Sequence, residues 1–119
     1  MAKIMICDDA AFMRMLIKDT LQKAGYTDIV EAADGKIAFE LFAAEKPDLV
    51  FMDITMPNMT GIEALAAIKK ANPMAQIVMC SAMGQEAMVV ESIKLGAVDF
   101  IVKPFKPDRL LQVVKKLFG

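Results

Sequence analysis

Five short apolar runs alternate along the chain with five longer stretches in which apolar residues recur at helical spacing. Strict strand–helix alternation with connections of a few residues favours a parallel sheet covered by helices on both faces. The sequence therefore predicts an α/β, doubly wound, five-stranded parallel sheet, and five strands fit the flavodoxin-like order 2-1-3-4-5. The predicted strands are Lys3–Cys7, Asp28–Ala32, Leu49–Asp53, residues 76–80 and Asp99–Val102.

Start and stop signals place a helix after each strand. Gly25 lies where the first helix should end, and Asp34 can cap the second. Thr60-Gly61-Ile62-Glu63 has the form of a capping box and opens the third. The fourth helix is predicted over residues 85–95 and the last over Pro107–Phe118.

Composition limits the kinds of function. A chain of 119 residues with 56% apolar residues can bury one core, so we expect residues 1–119 to form one domain. No apolar run approaches the roughly 20 residues of a membrane span. The start of the chain lacks a signal-peptide pattern, so we expect a cytoplasmic location and no membrane partner. The net charge of −1, without a block of like charges, argues against a nucleic-acid partner. The absence of histidine excludes histidine-based catalysis and histidine metal ligands.

Asp53 is the residue around which the candidate site is arranged. It ends the third predicted strand, and Asp8 and Asp9 follow the first strand in the same way. The carboxyl ends of parallel strands share one edge of the sheet, where ligands bind in open α/β folds. In the predicted order, Ser81 and Lys103 lie at the ends of the next two strands. We therefore expect all five side chains along one edge.

Three carboxylates in one place repel one another unless a cation lies between them. Neighbouring strands are about 4.8 Å apart. Asp8, Asp9 and Asp53 can therefore converge on one Mg²⁺, which takes oxygen ligands in an octahedron and keeps several waters. Lys103 is long enough to reach the same point, and Ser81 offers a hydroxyl group. The cluster suits a phosphoryl group that is bridged to a metal and held by these two side chains.

The chain resembles the receiver domain of response regulators, and among receivers it looks like the single-domain chemotaxis regulators. The resemblance covers essentially the whole chain. Each motif is weak alone, but their order at successive strand ends is specific. The motifs are Asp8-Asp9, Asp53-Ile54-Thr55-Met56-Pro57, Gly61, Ser81-Ala82, Phe100 and Lys103-Pro104-Phe105.

The resemblance implies a switch in two-component signal transduction, in which a histidine kinase phosphorylates Asp53 in a Mg²⁺-dependent reaction. It implies that Asp53 and Asp9 are direct metal ligands, that Asp8 acts through water and that Thr55 contributes its backbone carbonyl. It also implies a phosphoacceptor that assists its own phosphorylation and dephosphorylation, not an enzyme with a separate substrate.

The resemblance further implies how the signal is passed on. Ser81 and Lys103 would bind the phosphoryl group, and Ser81 together with Phe100 would form the switch. The output surface would comprise the fourth helix, the fifth strand and the last helix. Its partner could be a flagellar or archaellar motor component, and we expect the protein itself to be a monomer.

The fourth helix carries an irregularity that supports such a surface. Ala87-Met88-Val89-Val90 is a run of four apolar residues, which covers roughly 300° of a helix at about 100° per residue. One face cannot bury all four, so we expect some of them, Met88 foremost, to point outward.

Three other functions use parts of the same pattern. A flavodoxin-like FMN carrier needs a Ser-, Thr- or Gly-rich loop after the first strand, where Asp8 and Asp9 would repel the phosphate. A Mg²⁺-dependent phosphatase with an aspartyl nucleophile normally needs a second acid where this chain has Thr55, and a cap domain for which 119 residues leave no room. A phosphorelay carrier, which passes its phosphoryl group to another protein's histidine, shares the whole pattern.

Cys7 and Cys80 end strands that are separated by a third strand in the predicted order. Twice the strand spacing is about 9.6 Å, and a disulfide needs Cα atoms within about 7 Å. We therefore predict two free thiols.

Overall fold

The computed structural model describes residues 2–118, so the ends of the predicted domain, Met1 and Gly119, lie outside the described residues. Five strands and five helices alternate strictly, and the parallel strands lie in the order β2-β1-β3-β4-β5. The predicted flavodoxin-like fold is confirmed. The elements are β1 (Lys3–Cys7), α1 (Ala11–Lys23), β2 (Asp28–Ala32), α2 (Gly35–Glu45), β3 (Leu49–Asp53), α3 (Gly61–Ala71), β4 (Ile77–Ser81), α4 (Glu86–Lys94), β5 (Asp99–Val102) and α5 (Pro107–Phe118).

Side-chain alternation along the strands produces two separate cores. In β1, Met5 and Cys7 face one side of the sheet, where they pack in one buried cluster with residues of α2 and α3. Ile4 and Ile6 face the other side and pack with residues of α1 and α5. Both faces of the sheet are therefore covered, which explains why β3 and β4 are buried along their whole length.

The predicted caps of α2 and α3 are confirmed. Asp34 accepts a hydrogen bond from the Ile37 backbone N–H over 2.8 Å at the start of α2. Thr60 and Glu63 form a reciprocal capping box at the start of α3, with distances of 3.0 and 3.2 Å. Gly25 follows α1 with φ of +96°, a left-handed conformation that favours glycine. These residues thus define where α2 and α3 begin and where α1 ends.

Two predicted elements, β4 and α4, each differ from the prediction by one residue at both ends. Strand β4 includes Ser81, which pairs with Val102, and it begins after Gln76. Helix α4 ends at Lys94, and Gln85 is its N-cap residue instead of its first residue. The backbone hydrogen bonds determine where these elements begin and end, and these bonds cannot be read from an apolar run in the sequence.

The connection between β3 and α3 is tight and holds Asp53 in place. The Gly61 backbone N–H donates to the Ile54 carbonyl oxygen over 2.7 Å. A Cβ atom on Gly61 would overlap the carbonyl oxygen of Asp53. The glycine is therefore required by the close approach of two backbone segments, and α3 begins directly beside the end of β3.

The two cysteines are free, as predicted, and both are buried. Cys7 belongs to the core on the α2–α3 side, whereas Cys80 belongs to the core on the α1–α5 side. The sheet itself thus separates the two thiols, in addition to the intervening strand. Burial raises the pKa of the Cys80 thiol to about 12, which keeps it protonated at neutral pH. Among the described residues, no helix is long and apolar enough to cross a membrane.

Candidate functional site

Three carboxylates meet at the carboxyl edge of the sheet. Asp8 and Asp9 follow β1 and Asp53 ends β3, and one oxygen from each lies within 4.8 Å of the other two. Asp8 is 2% exposed and Asp53 is 9% exposed, whereas Asp9 faces solvent. The predicted convergence of these side chains is therefore present in the structure. The pocket has a buried floor and an open rim.

Lys103 is the cation of the pocket. Its Nζ lies 2.7 Å from Asp8 Oδ2 and 3.0 Å from Asp53 Oδ1. The backbone positions it, because the Lys103 N–H donates to the Ser81 carbonyl oxygen over 2.6 Å and continues the ladder between β4 and β5. Lys103 thus reaches Asp53 from two strands away, as predicted from its length, and also bonds to Asp8 beyond β1.

The charges in the pocket do not balance. Burial raises the pKa of Asp53 above its ordinary value, and the negative charges of Asp8 and Asp9 act in the same direction, while Lys103 opposes them. Burial alone would lower the pKa of Lys103, but its contacts with Asp8 and Asp53 outweigh this and raise it. The ammonium is therefore retained, and one positive charge faces three carboxylates.

Ser81 and Phe100 line the same space. Ser81 is 2% exposed at the end of β4, and Phe100, on β5, is 37% exposed. Both border a cavity of about 820 Å³ between α4 and β5, which Val89 and Ile93 also line. A movement of Ser81 toward Asp53 would therefore change a cavity that the Phe100 ring already borders.

Some of the apolar side chains of α4 point outward, as predicted, although Val90 and not Met88 is the more exposed of these two. Met88 is 43% exposed, and Val90 is more exposed at 54%. Val89 instead packs against the core on the α2–α3 side. The guanidinium of Arg109, on α5, donates to the Phe100 carbonyl oxygen over 2.7 Å. Helix α5 is thereby tied to the strand that carries Phe100.

Three residues around the pocket were not predicted from the sequence. Arg14 donates to the Asp8 carbonyl oxygen over 2.6 Å and bonds to Glu31 over 3.1 Å, so it holds the loop after β1 against β2. The Ala10 backbone N–H donates to Asp8 Oδ1 over 2.9 Å. Gln85 connects the loops after β3 and β4. No sequence pattern marks these contacts, since each depends on how loops meet in the folded chain.

Thr55 lies at the rim of the pocket and is exposed. Its hydroxyl oxygen accepts a hydrogen bond from Gln85 Nε2 over 3.1 Å. Thr55 thus lies two residues beyond Asp53, and its side chain bonds to Gln85. The remaining predicted role, a metal contact through the Thr55 carbonyl, stays a prediction.

Comparisons with known proteins agree with this geometry. The response regulator receiver domain family matches residues 4–115. The chemotaxis protein CheY of Thermotoga maritima is 55% identical over 115 residues, 97% of this chain and 96% of that protein. The sporulation initiation phosphotransferase F of Bacillus subtilis is 37% identical over 114 residues, 96% of this chain and 91% of that protein. The crystal structure of the receiver domain of NtrX from Brucella abortus has a TM-score of 0.92 at 35% identity and covers 97% of both chains.

The fold and the pocket define a class of small α/β domain that binds its ligand at an acidic edge of a parallel sheet. Within that class the family match is specific, because it spans nearly the whole chain and includes all the pocket residues. The chain belongs to the response regulator receiver domain family. Receivers are phosphoacceptor switches that bind Mg²⁺ in an acidic pocket.

The residues present fit such an ion. All the ligands offered by Asp8, Asp9 and Asp53 are carboxylate oxygens, the donor type that Mg²⁺ prefers. The cluster is left anionic after Lys103 is counted, so a divalent cation would relieve its repulsion. The exposed position of Asp9 leaves room for the several waters that Mg²⁺ keeps.

Proposed function

We propose that this protein is a two-component response regulator in which a histidine kinase phosphorylates Asp53. The observation that carries the proposal is the arrangement of the Asp53 carboxylate at the pocket floor, bonded to Lys103 and flanked by two further acids. The carboxylate oxygen would attack phosphorus and form an acyl phosphate. The bond from phosphorus to the donor histidine would break, and its electron pair would return to the imidazole nitrogen.

The residues of the pocket support this transfer by position and charge. Lys103 would hold one phosphoryl oxygen, and the Ser81 hydroxyl, at the next strand end, would donate to another. Mg²⁺, held by Asp8, Asp9, Asp53 and the Thr55 carbonyl, would supply the positive charge that a dianionic phosphoryl group needs here. With these parts in one pocket, the protein would assist its own phosphorylation and dephosphorylation.

The output would be a change in affinity for a partner at the surface formed by α4, β5 and α5. The exposed apolar side chains of Met88, Val90 and Ile93 support this location, since grouped apolar residues mark binding surfaces. The 55% identity with a chemotaxis protein supports a role in chemotaxis, with a flagellar or archaellar motor component as the partner. Residues 1–119 would act as a monomeric receiver domain in the cytoplasm.

A phosphorelay carrier is the second candidate. The observation that favours it is the 37% identity with a protein named as a phosphotransferase. Such a carrier would pass its phosphoryl group on to a histidine of another protein instead of binding a motor. The FMN-carrier and phosphatase hypotheses gain no support, because the family match is to receivers and Asp8 and Asp9 occupy the place of a flavin phosphate loop.

Phosphoryl uptake tests the proposal directly. Wild-type protein incubated with acetyl phosphate and Mg²⁺ should gain the mass of one phosphoryl group in intact-protein mass spectrometry. Asp53→Asn should gain none, because an amide cannot form the acyl phosphate. Asp48→Asn is the matched control, since Asp48 directly precedes the same strand at its opposite end, and it should gain the group as wild type does. Equal uptake by Asp53→Asn would refute the assignment of Asp53.

A further inference from the structure

The side chain of Gln85 spans the gap between two loops at the rim of the pocket. Gln85 Oε1 accepts a hydrogen bond from the Ala82 backbone N–H over 2.6 Å. Gln85 Nε2 donates to the Thr55 hydroxyl oxygen over 3.1 Å. One amide group thus connects the residue that follows Ser81 with the residue two positions after Asp53.

This connection is not part of the capping of α4. Gln85 is the N-cap residue of that helix, yet its side chain makes no capping hydrogen bond to it. Gly84, with φ of +87°, turns the chain between Ala82 and Gln85, a conformation that glycine adopts without steric cost. The side chain is half-buried and points back over the strand ends. Both hydrogen bonds of the side chain therefore lie at the rim of the pocket and not at the helix terminus.

The Ala82 N–H is a donor at the edge where a phosphoryl group on Asp53 would lie. Strand pairing places Asp53 opposite Cys80, so Ser81 and Ala82 continue past the end of β3. A backbone amide carries one hydrogen and makes one good hydrogen bond at a time. As long as Gln85 accepts this hydrogen, the amide is not available to an anion in the pocket.

We propose that Gln85 is a positioning residue that holds the loops after β3 and β4 in their unphosphorylated arrangement and must release the Ala82 N–H when Asp53 carries a phosphoryl group. This inference rests on the proposed phosphorylation of Asp53. Each phosphorylation of Asp53 would then cost the free energy needed to break the hydrogen bond between Gln85 and the Ala82 N–H. One net hydrogen bond of ordinary strength corresponds to about a two- to tenfold change in an equilibrium constant.

Gln85→Ala should therefore bind a phosphoryl mimic more tightly than wild type. The probe is beryllofluoride with Mg²⁺, and its affinity is measured by fluorine-19 NMR titration. We expect an increase of two- to tenfold in affinity. Gln22→Ala, on the exposed surface of α1, is the matched control and should bind as wild type does.

A second pair of variants tests the Thr55 end of the connection. Thr55→Val removes the acceptor for Gln85 Nε2 and should raise the affinity in the same direction as Gln85→Ala. Combined with Gln85→Ala, Thr55→Val should add little, because both changes release the same side chain. An independent, additive effect would show that Thr55 does not act through Gln85 and would overturn this part of the proposal.

The Ala82 amide gives a readout that a merely structural role would not change. In proton–nitrogen-15 correlation spectra of free wild type, the chemical shift of the Ala82 amide proton should change little with temperature, as for other hydrogen-bonded amides. This temperature dependence should increase in free Gln85→Ala and should be small again in both proteins with beryllofluoride. If wild type binds beryllofluoride while Gln85→Ala binds equally or more weakly, the Gln85 inference is wrong. If wild type does not bind it at all, the proposed function fails instead.

Discussion

At the scale of single residues, the pocket depends on an imbalance of charge. One ammonium, that of Lys103, bonds to Asp8 and Asp53, while Asp9 adds a third carboxylate within 4.8 Å. The folded chain holds these groups together, whereas the unfolded chain lets them separate. Folding therefore brings an electrostatic cost at this site, and a bound cation can offset it.

Mg²⁺ is expected to raise the midpoint of thermal unfolding. An ion that binds the folded state alone stabilises it by about 2.7 kcal/mol at a hundred times its dissociation constant. Asp9→Ala should lose most of this shift, because it removes an exposed ligand and leaves the core intact. Circular-dichroism melts with and without millimolar Mg²⁺ measure the effect. Asp19→Ala, an exposed acid on α1, should shift as wild type does, and an equal shift in Asp9→Ala would contradict the prediction.

Strand ends explain why the main site residues could be predicted from sequence. Each of Asp53, Ser81 and Lys103 ends an apolar run or directly follows one, and parallel strands bring such positions to one edge. Gln85 and Arg14 could not be found in this way. Their side chains reach across loops, and a loop conformation depends on tertiary contacts that no short pattern encodes. The metal and phosphoryl roles assigned by resemblance stay predictions.

At the scale of elements, the packing of α3 against the end of β3 determines where Asp53, the proposed phosphoacceptor, lies. The bounds of β1, β2, β3 and β5 agree with the sequence prediction, because a charged residue lies at each end of these runs or within two positions of it. Strand β4 is shifted by one residue at both ends, because it is buried on both faces and, unlike β3, has no charged residue at its ends. The close contact at Gly61 was visible in the sequence only as a glycine at a helix start.

Gly61→Ala should destabilise the protein, although alanine is the better helix former by about 1 kcal/mol. The added Cβ would overlap the Asp53 carbonyl oxygen, and overpacking of this kind costs roughly 1–3 kcal/mol. Urea unfolding measures the change. Beryllofluoride binding should also weaken, because relief of the overlap displaces the end of β3.

The control for this variant is Gly25→Ala. Gly25 has φ of +96° with no atom within 4 Å of an added Cβ, so the change introduces backbone strain without overlap. It should lower stability but leave beryllofluoride binding unchanged. A Gly61→Ala protein as stable as wild type would show that the α3–β3 contact can relax without cost.

At the scale of the whole molecule, the pocket and the proposed output surface are joined through β4 and β5. Ser81 and Phe100 border one cavity, and Arg109 ties α5 to the backbone of Phe100. A group that draws Ser81 toward Asp53 would enlarge this cavity and let the aromatic ring turn inward. The signal would therefore travel by a change in packing at the cavity between α4 and β5.

Phe100→Ala should bind beryllofluoride but transmit less of its effect. In wild type with Mg²⁺, the mimic should change hydrogen exchange in α4 and β5, because the Phe100 ring is expected to move between two packing positions. Without the ring, these changes should shrink, while those at the pocket persist. Phe12→Ala, an exposed aromatic residue of α1, serves as the control. Undiminished changes in α4 and β5 of Phe100→Ala would exclude the ring from the switch.

The edge position of β5 has a mechanical consequence. It is the shortest strand, with four residues, and it pairs with β4 alone. Strands β1, β3 and β4 each have a neighbour on both sides, and β3 and β4 are buried along their whole length. Of the two edge strands, β2 and β5, the shorter one, β5, is the one that carries Phe100 and borders the cavity beside α4. A displacement there would break few ladder hydrogen bonds, so the proposed phosphorylation could reshape this strand while the rest of the sheet keeps its register.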